Sequence, residues 1–208
     1  MTETSSQERD YLPGMGKHYL LPFYEVVHRV SGLGRVHGKM AAAAGLRPGQ
    51  RVLDVGCGTG NLLRTIGKQH PGVELAGVDP DLKMLARAES KLRRAGLRVR
   101  LDRGFAQELD FPDDSFDAVF SSLMLHHLDT SSKDEMLREV HRVLRPGGVL
   151  VLADAVFHDH GHMREHLRDN VGDAVPKRIA AAGFSVEPTA RHRLRLFGEV
   201  GIEVATAR

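Results

Sequence analysis

A single cysteine, Cys57, excludes an internal disulfide and fits a reducing cytoplasm. Charge of one sign is scarce as well. With 29 Lys and Arg against 27 Asp and Glu, the formal charge is +2, too small a bias to argue for a nucleic-acid partner. Long apolar runs are missing. The longest, Val149 to Phe157, is interrupted by Asp154 and falls short of the ~20 residues that span a bilayer. Met1 to Asp10 is polar and acidic, so neither a signal segment nor an ordered element is expected there. No internal repeat or low-complexity tract is present. What remains is ordinary soluble composition, 41% hydrophobic and 27% charged, in 208 residues, enough for one domain with a substantial core. The expectation is a cytoplasmic protein with no integral membrane segment.

What the chain does have is a stretch that organises the rest, Val52-Leu-Asp-Val-Gly-Cys-Gly-Thr-Gly-Asn-Leu-Leu63. It reads as a buried strand, a glycine-rich turn and the first turn of a helix. Gly56, Gly58 and Gly60 let backbone approach a ligand where a Cβ would intrude. The strand end delivers Asp54 to the same spot, and the helix start points backbone N–H groups into the crevice. Before it lies a helical preface, with helices over Leu20–Val30 and Val36–Ala44 broken by Gly32 and Gly34. After it, strand and helix alternate: strands at Gln50–Val55, Val73–Asp79, Arg98–Asp102, Phe116–Ser121 and Val149–Asp154. Helices fall at Asn61–Gln69, Pro80–Ala95 and Ser132–Leu144, and helical pieces run to Ala182. Val186–Leu196 and Gly198–Ala205 close as an antiparallel pair. This alternation predicts an α/β fold, a mostly parallel sheet covered by helices on both faces, with ligands at the strands' carboxyl ends.

The loop spacing narrows the ligand. Dinucleotide sites carry G-x-G-x-x-G facing a pyrophosphate, whereas here the spacing is G-x-G-x-G and Asn61 stands where the third glycine belongs. Asp54 would repel a pyrophosphate but receive an ammonium or sulfonium. Asp79, at the end of the second strand, is placed to hydrogen-bond ribose hydroxyls.

Four segments in order carry a resemblance: Val52–Leu63, Gly77–Leu85, Gly104–Val119 and Arg142–Leu150. Together they resemble the motifs of class I S-adenosylmethionine-dependent methyltransferases, in the branch that includes ubiquinone/menaquinone C-methyltransferases. The resemblance covers roughly residues 45 to 157. It implies a Rossmann-like methyltransferase fold, a seven-stranded sheet with an antiparallel last strand. It implies S-adenosylmethionine as cofactor, with S-adenosylhomocysteine as product. Asp54, Gly56 and Gly58 would line the methionine portion, Gly60 would also belong to the cofactor-binding loop, and Asp79 would hold the ribose. Pro80 and Met84 would give apolar contact near the adenine, and Ala106 would meet its edge through backbone. Ser121 and Ser122 would sit beside the methionine amino group and the methyl. The family often has an acidic residue where this chain has Phe105, so Phe105 is expected to pack there, leaving Gln107 or backbone to read the base.

The acceptor side is less defined. His126 and His127 follow the fourth strand, where this branch often carries histidine, and are the candidate proton acceptors. Residues 1–49 are expected to form an N-terminal tail and lid over a methyltransferase domain at 50–208, with Tyr11, His18, Tyr19 and Tyr24 as candidate substrate contacts. A small-molecule or lipid-like acceptor is expected, and a non-catalytic adenosylmethionine-binding protein is the alternative. His158, His160, His162 and His166 have a metal-like spacing but read as a solvated rim, with no metal expected. Cys57 reads as a small loop residue rather than a nucleophile. The basic run Arg87, Lys91, Arg93, Arg94, Arg98 and Arg100 reads as a solvated face.

Overall fold

The computed structural model describes residues 32–156, 170–188, 190–194 and 198–208. The candidate substrate contacts Tyr11, His18, Tyr19 and Tyr24, the helix expected over Leu20–Val30 and His158, His160, His162 and His166 lie outside them. The elements, in order, are α1 (Leu33–Ala43), β1 (Arg51–Val55), α2 (Asn61–Gln69), β2 (Glu74–Asp79) and α3 (Leu82–Arg94). They continue with β3 (Val99–Arg103), β4 (Phe116–Ser122), a 3-10 turn at Leu125–His127, α4 (Thr130–Val143) and β5 (Leu144–Val156). The chain closes with α5 (Ala174–Ala181), β6 (Phe184–Val186), β7 (Ala190–Leu194) and β8 (Gly198–Ala207). No helix among the described residues is long and apolar enough to cross a membrane.

The strands form one sheet in the order β3-β2-β1-β4-β5-β8-β6, with β7 also paired to β8. β3, β2, β1, β4 and β5 are mutually parallel, and β8 runs antiparallel to β5. The α/β expectation holds, and the seven-strand path has its antiparallel last strand in β8. The one addition is at the outer edge, where β6 and β7 pair in turn with the two ends of β8. Glu187 N still donates to Val204 O at 2.9 Å, but Pro188 has no N–H to offer and the ladder breaks there.

Alternation along each strand divides the core into two. Leu53, Val55, Val119, Leu150 and Leu152 face α4 and α5 with Met136, Leu137, Val140 and Ile179. Val52, Phe120, Val151 and Ala153 face α1, α2 and α3 with Met40, Leu63, Ile66 and Leu92. Three helix starts differ from the sequence expectation. α4 begins at Thr130 rather than Ser132, because the Asp129 carboxylate caps it by accepting from Ser132 N at 2.8 Å. α3 begins at Leu82 rather than Pro80, because the Asp81 carboxylate caps it by accepting from Lys83 N at 2.8 Å. α1 runs through Gly34, because Leu33, Val36 and Met40 bury a continuous stripe that outweighs one glycine. β5 also reaches back through Arg145–Gly148, which bulge between the Phe116↔Leu144 and Ala118↔Val149 pairs.

The long loop after β3 is held by one side chain. Arg142 donates to Phe111 O (2.8 Å), Leu109 O (2.9 Å), Asp113 (2.7 Å) and Glu139 (2.7 Å). Glu139 in turn accepts from Leu109 N at 2.8 Å, and the guanidinium holds its carboxyl below the usual range. Arg142→Ala is expected to cost about 2–3 kcal/mol, because it strands two carbonyls and a half-buried carboxylate at once. Arg142→Lys should recover less than half of that, since an ammonium lacks the planar fork. Urea denaturation of the three proteins checks both statements.

Candidate active site

The strand order reverses between β1 and β4, since β2 and β3 lie to one side and β5 and β8 to the other. A crevice opens there at the carboxyl ends of the strands. The glycine loop fills its floor. Gly56 N and Cys57 N both donate to Val78 O, at 2.8 and 3.0 Å, which ties the loop to β2. Gly56, Gly58 and Gly60 all have positive φ, of 74°, 52° and 74°. They are glycine for different reasons. A Cβ on Gly56 would lie 2.5 Å from Met124 Cγ, whereas one on Gly58 would meet nothing within 4 Å. A Cβ on Gly60 would meet Ala88 and Leu92, each at 3.1 Å, so Gly60 serves the packing of α2 on α3. The side opened by its missing Cβ faces the core, so any part Gly60 takes in ligand binding falls to its backbone.

Two carboxylates border the loop. Asp79 Oδ2 accepts from Gly58 N at 2.8 Å and Oδ1 from Asp81 N at 2.9 Å, so it braces both the loop and the entry to α3. Burial nevertheless raises its pKa, against those two hydrogen bonds. Asp54, at 2% exposure, is the more perturbed. Burial first, and the neighbouring Asp79 second, push it up to about 8. An acid held neutral by its surroundings ionises when a cation arrives beside it, so the pair favours a positively charged ligand. Burial, then Asp54 and Asp79, also push the Cys57 thiol well up, which keeps it protonated and unreactive.

Asp54, Gly56, Gly58, Thr59 and Asn61 share a cavity of about 40 Å³ with Ser122, Leu123 and, from α1, Leu33 and His37. The two serines at the end of β4 part company. Ser122 lines the cavity, and its Oγ is hydrogen-bonded to His37 Nε2 at 3.2 Å. Ser121 is buried and its hydroxyl donates to Val55 O at 3.0 Å, so alternation turns its side chain into the sheet and leaves only its backbone for a ligand. On the far side of β2, Pro80 and Met84 are half-buried. Phe105 lines a groove of about 480 Å³ with Val78, Asp102, Gly104, Glu139 and Arg142. Ala106 packs into the α4 side of the core, which leaves its backbone as the group able to meet a ligand. The larger groove is polar and open, while the small cavity holds the loop and both the buried acid and the imidazole. The smaller one is the candidate chemical centre.

At the acceptor side the structure separates the histidines. His126 Nδ1 is hydrogen-bonded to Asp154 Oδ1, and its backbone N donates to Asp154 Oδ2 at 2.8 Å. His127 is exposed and leans on the first ring, 4.1 Å between centroids. With a buried carboxylate accepting at Nδ1, Nε2 is the basic nitrogen of His126. Sequence reasoning missed Asp154 as a partner, although an acid interrupting the most apolar strand was its signal. His37 left no signal, since a lone histidine on a helix reads as surface. Lys91 was placed on a solvated face. Its ammonium instead donates to Thr59 Oγ1 (2.9 Å) and Asn61 Oδ1 (2.7 Å), clamping the loop to α3. Arg87, Arg93, Arg94, Arg98 and Arg100 are exposed as expected.

Residues 52–148 match a family model described as a methyltransferase domain. Demethylmenaquinone methyltransferase of Thermus thermophilus is 33% identical over 219 residues, covering 89% of this chain and 96% of that one. The chain spans only about half the length of several other curated relatives it matches. An uncharacterized methyltransferase of Geobacillus kaustophilus is 35% identical over 59% of this chain and 55% of its own. Among solved structures, the cyclase SpnF aligns with a TM-score of 0.74 at 24% identity, covering 84% of this chain and 80% of that one. That likeness speaks for the fold alone.

Proposed function

Because this chain belongs to the class I S-adenosylmethionine-dependent methyltransferases, we propose that it binds S-adenosylmethionine across the β1–β4 crevice and methylates a small-molecule or lipid-like acceptor in the cytoplasm. The observation that carries this reading is an acid, Asp54, sealed into a small cavity beside a glycine loop whose Gly58 leaves open space. The residues fit the cofactor. Asp54, Gly56, Gly58 and Ser122 would hold the methionine portion. Asp79 would accept from the ribose with the lone pairs left over from Gly58 N and Asp81 N. Pro80, Met84, Phe105 and the Ala106 backbone would bound the adenine. Residues 1–49 are assigned to a lid on the 50–208 domain, with Tyr11, His18, Tyr19 and Tyr24 as its acceptor contacts.

When bound, the cofactor supplies a methyl already activated by a sulfonium. The protein's contribution is orientation and exclusion of water, so that the acceptor atom lies in line with the methyl, opposite the sulfur. The acceptor gains the methyl and must shed a proton. His126 Nε2 takes it, and Asp154 holds the ring and stabilises the imidazolium that forms. His127, exposed beside it, borders the acceptor's approach. A quinol, a phenol or an amine would each suit this base. A demethylated naphthoquinol is the first to offer, because the Thermus relative is named for demethylmenaquinone.

Incubation with cofactor bearing a deuterated methyl, followed by mass spectrometry of acceptor and S-adenosylhomocysteine, tests the proposal. Labelled acceptor and demethylated cofactor should appear together. Tight binding with no turnover across quinols, phenols and amines would favour the non-catalytic alternative. His126→Gln should lower kcat by about 100-fold and leave cofactor affinity within twofold. Asp154→Asn should lower kcat in the same direction but less. If both variants lose cofactor binding instead, the histidine is part of the scaffold and not the base.

A further inference from the structure

Charge is unevenly distributed along the chain. Between Asp81 and Arg103 stand eight lysines and arginines against three acids, a net +5, while the whole chain carries +2 and its remainder therefore −3. This stretch is α3 and the strand β3 that follows it. α3 buries Leu85, Ala88 and Leu92 in the core, which leaves Lys83, Arg87 and Arg94 in steps of four and seven residues along its outer side. β3 is the edge strand of the sheet, and Arg98 just before it and Arg100 within it are exposed. Of the three acids, Asp81 caps α3, Asp102 pairs with Arg100 at 2.7 Å, and Glu89 alone is exposed. Lys83, Arg87, Arg93 and Arg98 are exposed and meet no carboxylate among the described residues. Arginines on a sheet edge guard it against pairing with another strand, but the α3 face has no edge to protect. Leu82, the first residue of that helix, is 60% exposed, the one large apolar side chain so exposed among the described residues.

We propose that the outer face of α3, with the β3 edge beside it, docks on a bilayer surface bearing anionic lipids. Lys83, Arg87, Arg93 and Arg98 meet lipid phosphates, and Leu82 enters the boundary between headgroups and acyl chains. At 13 residues α3 is about 20 Å long, so it lies along the surface over several headgroups. Nucleic acid fits this face less well. Single strands are held by exposed aromatic rings that stack on bases, and every described phenylalanine is buried or half-buried. A duplex held through its phosphates leaves Leu82 without a role. α3 starts just beyond the carboxyl end of β2, so Leu82 stands at the same end of the sheet as the crevice. Docking by this face brings the crevice to the bilayer, whatever acceptor it takes.

Sedimentation of the full chain with vesicles tests the proposal. It should bind vesicles of phosphatidylcholine mixed with phosphatidylglycerol and not those of phosphatidylcholine alone, and added salt should release it. Arg87→Gln/Arg93→Gln should weaken binding about 25-fold, at about fivefold per cation lost. Leu82→Ser should weaken it about tenfold with no change in charge. Arg47→Gln/Arg138→Gln removes the same charge from exposed sites on the turn before β1 and on α4, and should bind within about twofold of the wild type. All these side chains are exposed, so thermal melting should be unchanged. Equal binding to both vesicle types, binding to neither, or an equal loss in the Arg47 and Arg138 variant overturns the assignment. So does tighter binding to duplex DNA or single-stranded RNA than to mixed vesicles, unaffected by Leu82→Ser, which would make this a nucleic-acid surface. No cofactor is added, so failure of the methyltransferase reading would leave these outcomes unchanged.

Discussion

Asp79→Ala is expected to weaken S-adenosylmethionine binding by about 1,000-fold, on the scale of two lost charge-assisted hydrogen bonds. Asp79 Oδ2 accepts from Gly58 N and Oδ1 from Asp81 N, so the carboxylate shapes the loop as well as being the residue proposed to hold the ribose. Its removal leaves those two N–H groups without their acceptor and releases Gly58 from β2. Asp79→Asn does little better, because one oxygen becomes an NH2 group pointing at an N–H donor. Folding should suffer less than binding. Burial already penalises the carboxylate, as its raised pKa shows, so its loss relieves a desolvation cost while it strands two donors. Calorimetry alongside thermal melting measures both. A loss of affinity under tenfold would remove Asp79 from the cofactor site.

Ligand-free protein should become less stable as pH rises from about 4 to about 8. Asp54 has an ordinary pKa of 3.8 and is raised to about 8 in the folded chain. Between those values the folded state binds a proton that the unfolded state has released, so stability is highest below the lower value and is lost as pH climbs. The slope reaches about 1.4 kcal/mol per pH unit for one proton, and several kcal/mol accumulate across the window. Asp79 shifts in the same direction and adds to it. Asp54→Asn, which is neutral at every pH, should flatten the profile over this range. Cofactor binding should behave oppositely. A cation entering beside Asp54 favours its ionised form, so binding releases a proton near pH 7 and tightens as pH rises toward 8. Calorimetry in buffers of different ionisation enthalpy reads the proton directly. A pH-independent stability, or no proton release, would show that Asp54 is ionised in the empty cavity.

Much of this architecture was legible from local pattern. The alternation of strand and helix, the apolar stripe of α3 and the turn glycines lie within a few residues of what they shape, so periodicity reports them. The positions of Gly56 and Gly58, of Asp54 at a strand end and of Asp79 one strand later followed from the same short-range grammar. Orientation and partnership did not. Ser121 and Ser122 are adjacent and chemically identical, yet one donates to Val55 O inside the sheet and the other holds His37. Gly60 is indistinguishable from Gly56 and Gly58 in sequence, and only the packing of α3 against it shows what its missing Cβ makes room for. Asp154 meets His126 across 28 residues, and Lys91 reaches Thr59 across 32. By itself, then, the sequence determined the loop, its acids and the layered α/β frame. Tertiary structure decided which side chains converge on that loop, because convergence depends on strand parity and on contacts between elements distant in the chain, and neither leaves a periodic trace.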